Sequence, residues 1–218
     1  MPELANAALP CTGKSPIIGF LAQLTDTMQK RFISADELLQ QSFELAINIY
    51  RSGYRPDFIV GVWRGGAPVG IAVQEMLHYL GIETDHIAIR TSSYTGIGER
   101  DKNVRVHGLS YIVKRVKAGD AVLVVDDVYD TGLSIQAVIQ ALHERCGEQC
   151  PDIKVATPYY KPGNNQTRSR PDFYLYETEQ WLVFPHELMG LPLAELAANK
   201  PALQGLTEQL QALLADTH

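Results

Sequence analysis

The sequence is short of cysteine and of positive charge, and it has no long apolar run. Its three cysteines are odd in number and too few for a disulfide framework in 218 residues. Cys146 and Cys150 flank a Gly-Glu-Gln turn. As half of a zinc site they would need two further ligands, and none stands at suitable spacing, so they read as incidental thiols in a reducing cytosol. The net charge of -6 and the pI of about 5.5 leave no overall basic field to draw in nucleic acid or an anionic membrane. No stretch approaches the roughly 20 apolar residues of a membrane span. The N-terminus has no basic start, carries Glu3, and places Pro10, Gly13 and Lys14 before its apolar patch, Ile17 to Ala22. A secretory signal is therefore not expected, and the cytoplasm is. Two nucleotide-binding signatures are absent as well. There is no Gly-x4-Gly-Lys-Ser/Thr, and no Gly-x-Gly-x-x-Gly in a first βα turn; Gly96-x-Gly98 precedes no helix.

What remains is a globular composition. Hydrophobic residues make up 45% and charged residues 20%, enough apolar surface for one α/β domain with room for a small added lobe. The centre of the chain holds its most informative stretch, Val122-Leu-Val-Val-Asp-Asp-Val-Tyr-Asp-Thr-Gly-Leu-Ser134. Val122 to Val125 is apolar and mostly β-branched, which suits a strand covered on both faces. Asp126 and Asp127 end the run. A short loop with Asp130, Thr131, Gly132 and Ser134 then opens a helical pattern from Ile135 to Leu142. Ligands of open α/β sheets bind beyond the carboxyl ends of such strands. A loop of this kind at a helix start offers backbone N–H groups to a phosphate. The stretch thus sets carboxylates, suited to sugar hydroxyls or hydrated Mg2+, beside a phosphate cradle. Adjacent strand residues face opposite sides. Two adjacent unpaired acids in a core would be costly, so at least one of Asp126 and Asp127 should reach the crevice.

The rest of the chain alternates strand and helix. Residues 1 to 30 carry no strong periodicity and read as an extension. Ser34-Ala-Asp-Glu37 is a capping box ahead of an apolar stripe at Leu39, Phe43, Ala46, Ile47 and Tyr50, with Gly53 as the stop. Phe58 to Val62 reads as a buried strand. It enters Trp63-Arg-Gly-Gly66, and a helix follows to about Leu80. That loop is either a tight turn that needs glycine or, given Arg64, an anion site. Asp85 to Ile89 is a third strand. Arg90 to Gly108 then forms a long polar stretch, either a lid hinged at Gly96 and Gly98 or a solvated excursion. Strands are also expected at Ile153 to Tyr160, at Asp172 to Tyr176 and, broken by Pro185, at Gln180 to Glu187. Strands and helices alternating at this spacing predict an α/β fold with a parallel, doubly wound sheet. The tail from Leu191 is helical, with a stripe of Leu203, Leu206, Leu210, Leu213 and Leu214 that either docks on the body or forms a subunit contact. A homo-oligomer, dimer or tetramer, is expected.

The central stretch resembles the phosphoribosyl diphosphate (PRPP) motif of type I phosphoribosyltransferases: four apolar residues, two acids, two residues, then Asp-Thr-Gly-x-Ser. Gly61-Val-Trp-Arg-Gly-Gly66 resembles that family's diphosphate loop. Ser92-Ser-Tyr94 resembles the start of its flexible catalytic loop in the bacterial xanthine-guanine branch. Tyr160-Lys-Pro162 and Trp181-Leu-Val-Phe-Pro-His-Glu187 resemble the base-binding hood of the 6-oxopurine enzymes. The four motifs stand in family order over residues 31 to 187, with hood elements at about 161 to 187. This leaves an N-terminal extension of residues 1 to 30 and a helical C-terminal extension of residues 188 to 218. A receiver domain also places two acids after an apolar strand, but near its start and without Asp-Thr-Gly.

The resemblance implies a Mg2+-dependent purine salvage enzyme that takes PRPP and hypoxanthine, guanine or xanthine, with no nucleic-acid or membrane partner. It implies that Asp130, Thr131, Gly132, Leu133 and Ser134 hold the ribose 5-phosphate, and that Asp126 and Asp127 bind the ribose hydroxyls directly or through Mg2+. Trp63, Arg64, Gly65 and Gly66 would hold the diphosphate, with Trp63–Arg64 as the candidate cis peptide. Ser93 and Tyr94 would belong to the lid, with Arg64, Tyr94 and Asp130 acting at the reacting centre and Asp130 the candidate base for the purine proton. Lys161 would donate to the 6-oxo group and Trp181 would stack on the base. The Leu182 backbone and Glu187 would address its 2-position edge. The bacterial branch has Trp and Asp where His186 and Glu187 stand, and this bears on the choice among the oxopurines. The remaining alternatives are a non-catalytic PRPP-binding regulator and a transferase for another base.

Overall fold

The computed structural model of the chain describes residues 30–94 and 103–215, and for Ser93, Tyr94 and Asn103 the backbone alone. Strand β1 (Lys30–Phe32) leads through Ser34 into helix α1 (Ala35–Arg51). The Ser34 hydroxyl accepts from the Glu37 N–H at 3.0 Å, half of the expected capping box. The Glu37 carboxylate accepts instead from Arg31 at 2.7 Å and from Gln41 at 3.0 Å. Strand β2 (Phe58–Trp63), helix α2 (Gly66–Tyr79) and strand β3 (Asp85–Tyr94) follow, then β4 (Asn103–His107) and a short helix α3 (Ser110–Val113). The central stretch is strand β5 (Ala121–Val125), a two-residue strand β6 (Val128–Tyr129) and helix α4 (Leu133–Cys146). Strands β7 (Asp152–Tyr160), β8 (Phe173–Glu177) and β9 (Trp181–Val183) come next, and helices α5 (Leu193–Asn199) and α6 (Thr207–Ala215) close the described chain.

Among the described residues the main sheet has seven strands, in the order β4-β3-β2-β5-β7-β6, with β8 also on β7. All of its pairs are parallel except β3 with β4. Alternation along the central strands supplies both faces. Ile59, Leu123 and Val125 pack with Leu45, Ile49, Val69, Val73 and Leu77 of α1 and α2. Val60, Val62, Val122 and Val124 pack with Ile112, Ile135, Val138 and Leu142 of α3 and α4. From β2 the chain crosses to β3 on one side, and from β5 it crosses to β7 on the other. The order therefore reverses between β2 and β5, and the crevice of a doubly wound sheet opens at that boundary.

Several expectations change. The flanks of the Arg90 to Gly108 stretch are strand: Arg90 to Tyr94 continues β3 and pairs antiparallel with Asn103 to His107, while Gly96 and Gly98, the expected hinges, lie outside the described residues. The apolar stripe of α1 is displaced. Leu38, Gln41, Ser42, Leu45, Ala46 and Ile49 are buried, and Leu39 is 47% exposed. The last strand is only three residues long, and its partner is β1, so Lys30 belongs to a small hood sheet with β9. Lys200, just after α5, is buried and donates to the Phe184 carbonyl at 2.6 Å and the Pro185 carbonyl at 3.3 Å, tying the tail to the chain beyond β9. No helix among the described residues is long and apolar enough to cross a membrane. Cys146 and Cys150 are free thiols.

Candidate active site

The ends of β2 and β5 are in register, Gly61 opposite Val125, so the loop after Trp63 and the acids after Val125 meet. The Trp63–Arg64 peptide is cis. Gly65 and Gly66 follow with almost no clearance. A Cβ on Gly65 would overlap the Asp127 carboxylate, and one on Gly66 would collide with the Val125 carbonyl. Glycine is required here for close approach of backbone to backbone and carboxylate.

The two acids lie just past the end of β5, where the backbone turns, and they make different contacts. Asp126 accepts from the N–H groups of Asp127, at 3.0 Å, and of Gly66, and thereby moors the β5 end to the start of α2. Burial, and next the neighbouring Asp127 charge, push its pKa well above the ordinary carboxylate value. Asp127 is buried against Gly65, and its Oδ2 lies 3.4 Å from His186 Nε2 on the hood side. Among the described residues no group of three or more His, Cys, Asp or Glu could hold a metal. The acid pair offers hard oxygen donors without a closed cage, which fits a Mg2+ that arrives on a phosphate ligand and keeps most of its coordination to that ligand and water.

Beyond the acids, Gly132 has φ 76° and starts α4. Its missing side chain leaves room for the Tyr129 ring, 2.6 Å from where a Cβ would lie. Asp126, Asp130, Thr131, Gly132 and Ser134 line a cavity of about 80 Å³ at the N-terminus of this helix, as expected for the phosphate cradle. Leu133 donates its N–H to Thr131 Oγ1 at 3.4 Å. A larger groove, of about 520 Å³, runs along the outer face of α1 and shares no lining residue with the motifs.

Lys161 is buried and held in place by its own backbone, whose N–H donates to the Tyr129 carbonyl at 2.9 Å. Its ammonium lies 3.5 Å from Asp130 Oδ2. Asp130 Oδ1 is buried and has no hydrogen-bond partner among the described residues. Such an acceptor costs about 1–3 kcal/mol unless something donates to it.

The hood strand presents alternate faces. Trp181 is 46% exposed, and Leu182 packs in the core. Val183 accepts from the Ile33 N–H at 3.0 Å, so its carbonyl points to β1. By alternation, the N–H and C=O of Leu182 point to the opposite, open edge of the two-stranded sheet. Glu187 turns back on its own strand, where its Oε2 accepts from the Phe184 N–H at 3.0 Å. Arg64, Trp181, Val183 and Glu187 share a cavity of about 120 Å³ with Met189 and Leu191. The structure thus brings together the diphosphate-loop, acid-pair, phosphate-loop and hood residues. Ser93 and Tyr94 lie at the end of β3, and their side chains fall outside the described residues. Two contacts escaped the sequence reading. Tyr129, inside the motif, supports Gly132 and Lys161, and His186 reaches Asp127. Tyr129 stands one residue before Asp130 and His186 one before Glu187, and only three-dimensional placement separates each from a spacer.

The phosphoribosyl transferase domain family matches residues 32–189. A search of curated proteins returns no match. Among solved structures, a purine phosphoribosyltransferase from Pyrococcus horikoshii Ot3 is 27% identical, with a TM-score of 0.57 over 76% of this chain and 98% of that one. A xanthine-guanine-hypoxanthine phosphoribosyltransferase from Helicobacter pylori is 22% identical, with a TM-score of 0.57 over 72% and 92%. A hypothetical protein from Neisseria gonorrhoeae with bound ppGpp is 20% identical, with a TM-score of 0.62 over 75% and 92%; the last two show the shared fold. The chain belongs to the phosphoribosyl transferase domain family.

Proposed function

We propose that the protein transfers the phosphoribosyl group of PRPP to a 6-oxopurine (hypoxanthine, guanine or xanthine), releasing diphosphate and the nucleoside monophosphate. The observation that carries this reading is the pairing of Asp130 with Lys161. A 6-oxopurine carries an N–H donor at N7 beside its 6-oxo acceptor. The site offers the complement, an unpartnered carboxylate oxygen next to an ammonium. Adenine would turn a 6-amino donor toward Lys161, which can only donate.

In this reading the bond from N9 to the anomeric carbon forms as the bond from that carbon to the diphosphate oxygen breaks. The half-exposed Asp130 carboxylate takes the N7 proton, and Lys161 holds the 6-oxo oxygen. The cradle from Asp130 to Ser134 holds the 5-phosphate at the start of α4. The backbone around Trp63, Arg64 and Gly65 holds the diphosphate, and Asp127 addresses the ribose hydroxyls. Trp181 stacks on the base, and the open-edge backbone of Leu182 meets its 2-position side. Mg2+, bound with PRPP, supplies neutralisation of the departing charge. Catalysis then rests chiefly on holding donor and acceptor in line.

The test is a steady-state assay with Mg2+, PRPP and a panel of hypoxanthine, guanine, xanthine, adenine and orotate, following diphosphate and nucleotide together. Oxopurine turnover is expected. Turnover of adenine or orotate alone would overturn the substrate class. Tight PRPP binding without turnover of any base would make the protein a regulator.

A further inference from the structure

We propose that the ion pair between Lys30 and Glu195 positions the Trp181 indole for the base. The proposal rests on the reading that Trp181 is the base platform. Both members of the pair lie outside the matched family domain, one just before it and one after it. Lys30 stands opposite Trp181 in the parallel ladder of β1 and β9. Its ammonium lies 5.1 Å from the centroid of the indole ring, over one face. The same ammonium lies 2.9 Å from each oxygen of Glu195 on α5. A cation over an indole face is attracted by the ring's negative π-cloud. The carboxylate grips that cation from the far side, so the ring's neighbour is fixed as well as attractive.

The pair is not a loose surface contact. Its side chains are only 26% and 25% exposed, and α5 is itself anchored, because Lys200 at its end is buried on the Phe184 and Pro185 carbonyls. The chain just beyond β9 is therefore held by the same helix that holds Lys30. With one indole face occupied by the ammonium, a purine stacks on the other. The ring plane is set by segments from the two ends of the described chain, and neither touches the base. Lys30 and Glu195 are thus positioning residues, and the C-terminal extension serves the hood.

The experiment compares Glu195→Ala, Lys30→Met and Lys30→Arg with the parent full-length chain. One measurement is KM and kcat for PRPP and for the base. The other is acrylamide quenching of the apo protein in a Trp63→Phe background, where Trp181 is the sole indole fluorophore. The expected result for Glu195→Ala and Lys30→Met is a several-fold rise in KM for the base, with KM for PRPP and kcat changed less than twofold, and a more readily quenched indole. Lys30→Arg, which also stacks on indole and pairs with a carboxylate, should restore both properties. Unchanged quenching overturns the proposal. Equal increases in both KM values also overturn it, since they indicate general loosening. Altered quenching with an unchanged base KM overturns the link to the base. If no purine is turned over by the parent chain, the functional reading fails first, and quenching alone decides whether the pair holds the indole.

Discussion

Asp126 holds its negative charge in an unfavourable place, and this has a measurable sign. Burial and the Asp127 charge raise its pKa above the ordinary value of 3.8. The folded protein then keeps a proton that the unfolded chain has already released. Stability is accordingly lost as pH rises from about 4 through the raised value, and it stays lost above that. Asp126→Asn should remove this loss. Thermal unfolding between pH 4 and pH 8 is expected to show a flatter profile and a higher Tm at neutral pH for the variant. A variant less stable than the parent at pH 7 would show that the N–H groups of Asp127 and Gly66 offset the buried charge in full. At this scale the sequence was informative about residue type but not orientation. Alternation would have separated the two acids only within a strand, and both lie past the end of β5, so their different contacts come from the turn of the backbone. Alternation could not say that Asp126 would turn to the Gly66 N–H, because that depends on a loop 60 residues earlier in the chain. The unpartnered oxygen of Asp130 was equally out of reach, since it depends on the placement of Lys161 just beyond the end of β7.

Helix α1 shows why an element can be recognised and yet be set down on the wrong face. Its start was legible from Ser34 and its length from the apolar spacing. Two neighbouring stripes competed, however. Leu39, Phe43 and Ile47 form an unbroken apolar row, whereas the row that is buried contains Gln41 and Ser42. Their donors are paired in ways the sequence does not display, although Gln41 Oε1 is buried with no hydrogen-bond partner among the described residues. Gln41 donates to Glu37 at 3.0 Å and to the Tyr159 hydroxyl at 2.8 Å, and Ser42 donates to the Leu38 carbonyl at 2.7 Å. The faces can be told apart by mutation. Leu45→Ala should cost about 2–5 kcal/mol in denaturant unfolding, since it opens a cavity in a fully buried site. Leu39→Ser should stay within about 0.5 kcal/mol. Equal costs would place the wrong face inward. The β3–β4 hairpin failed to show in the sequence for a related reason. The β3 arm, Arg90-Thr-Ser-Ser-Tyr94, carries no apolar alternation, and the alternation of the β4 arm, Asn103-Val-Arg-Val-His107, is too short to stand out from the polar stretch around it.

For the molecule as a whole, the switch between β2 and β5 and the hood built from β1 and β9 face one another across the crevice. The resemblance over residues 31 to 187 drew on motifs at the ends of β2, β3, β5 and β7 and on β9. It gave no account of Lys30, Glu195 and Lys200, which tie the flanks of the matched domain to the hood by contacts that no motif encodes. A ligand that joins the crevice loops should stabilise the entire fold. With Mg2+ and PRPP at 100 times the dissociation constant, the folded state should gain about 2.7 kcal/mol. For a domain of this size that is a rise in Tm of roughly 5–11 °C. Ribose 5-phosphate alone, which lacks the diphosphate, should give a smaller rise at equal concentration. An equal rise would mean that the loop from Trp63 to Gly66 does not grip the donor.

The fit between Gly65 and Asp127 also constrains how this chain can change over generations. Any side chain gained at 65 needs the space that the carboxylate at 127 now fills. No single substitution at 65 is neutral while the acid stands, and the loss that would make room removes the group proposed to address the ribose. The two positions can drift only together and only by way of an impaired intermediate. Descendants that still use PRPP should therefore keep the pair, while lineages that abandon the chemistry should lose the acid first and the glycine afterwards.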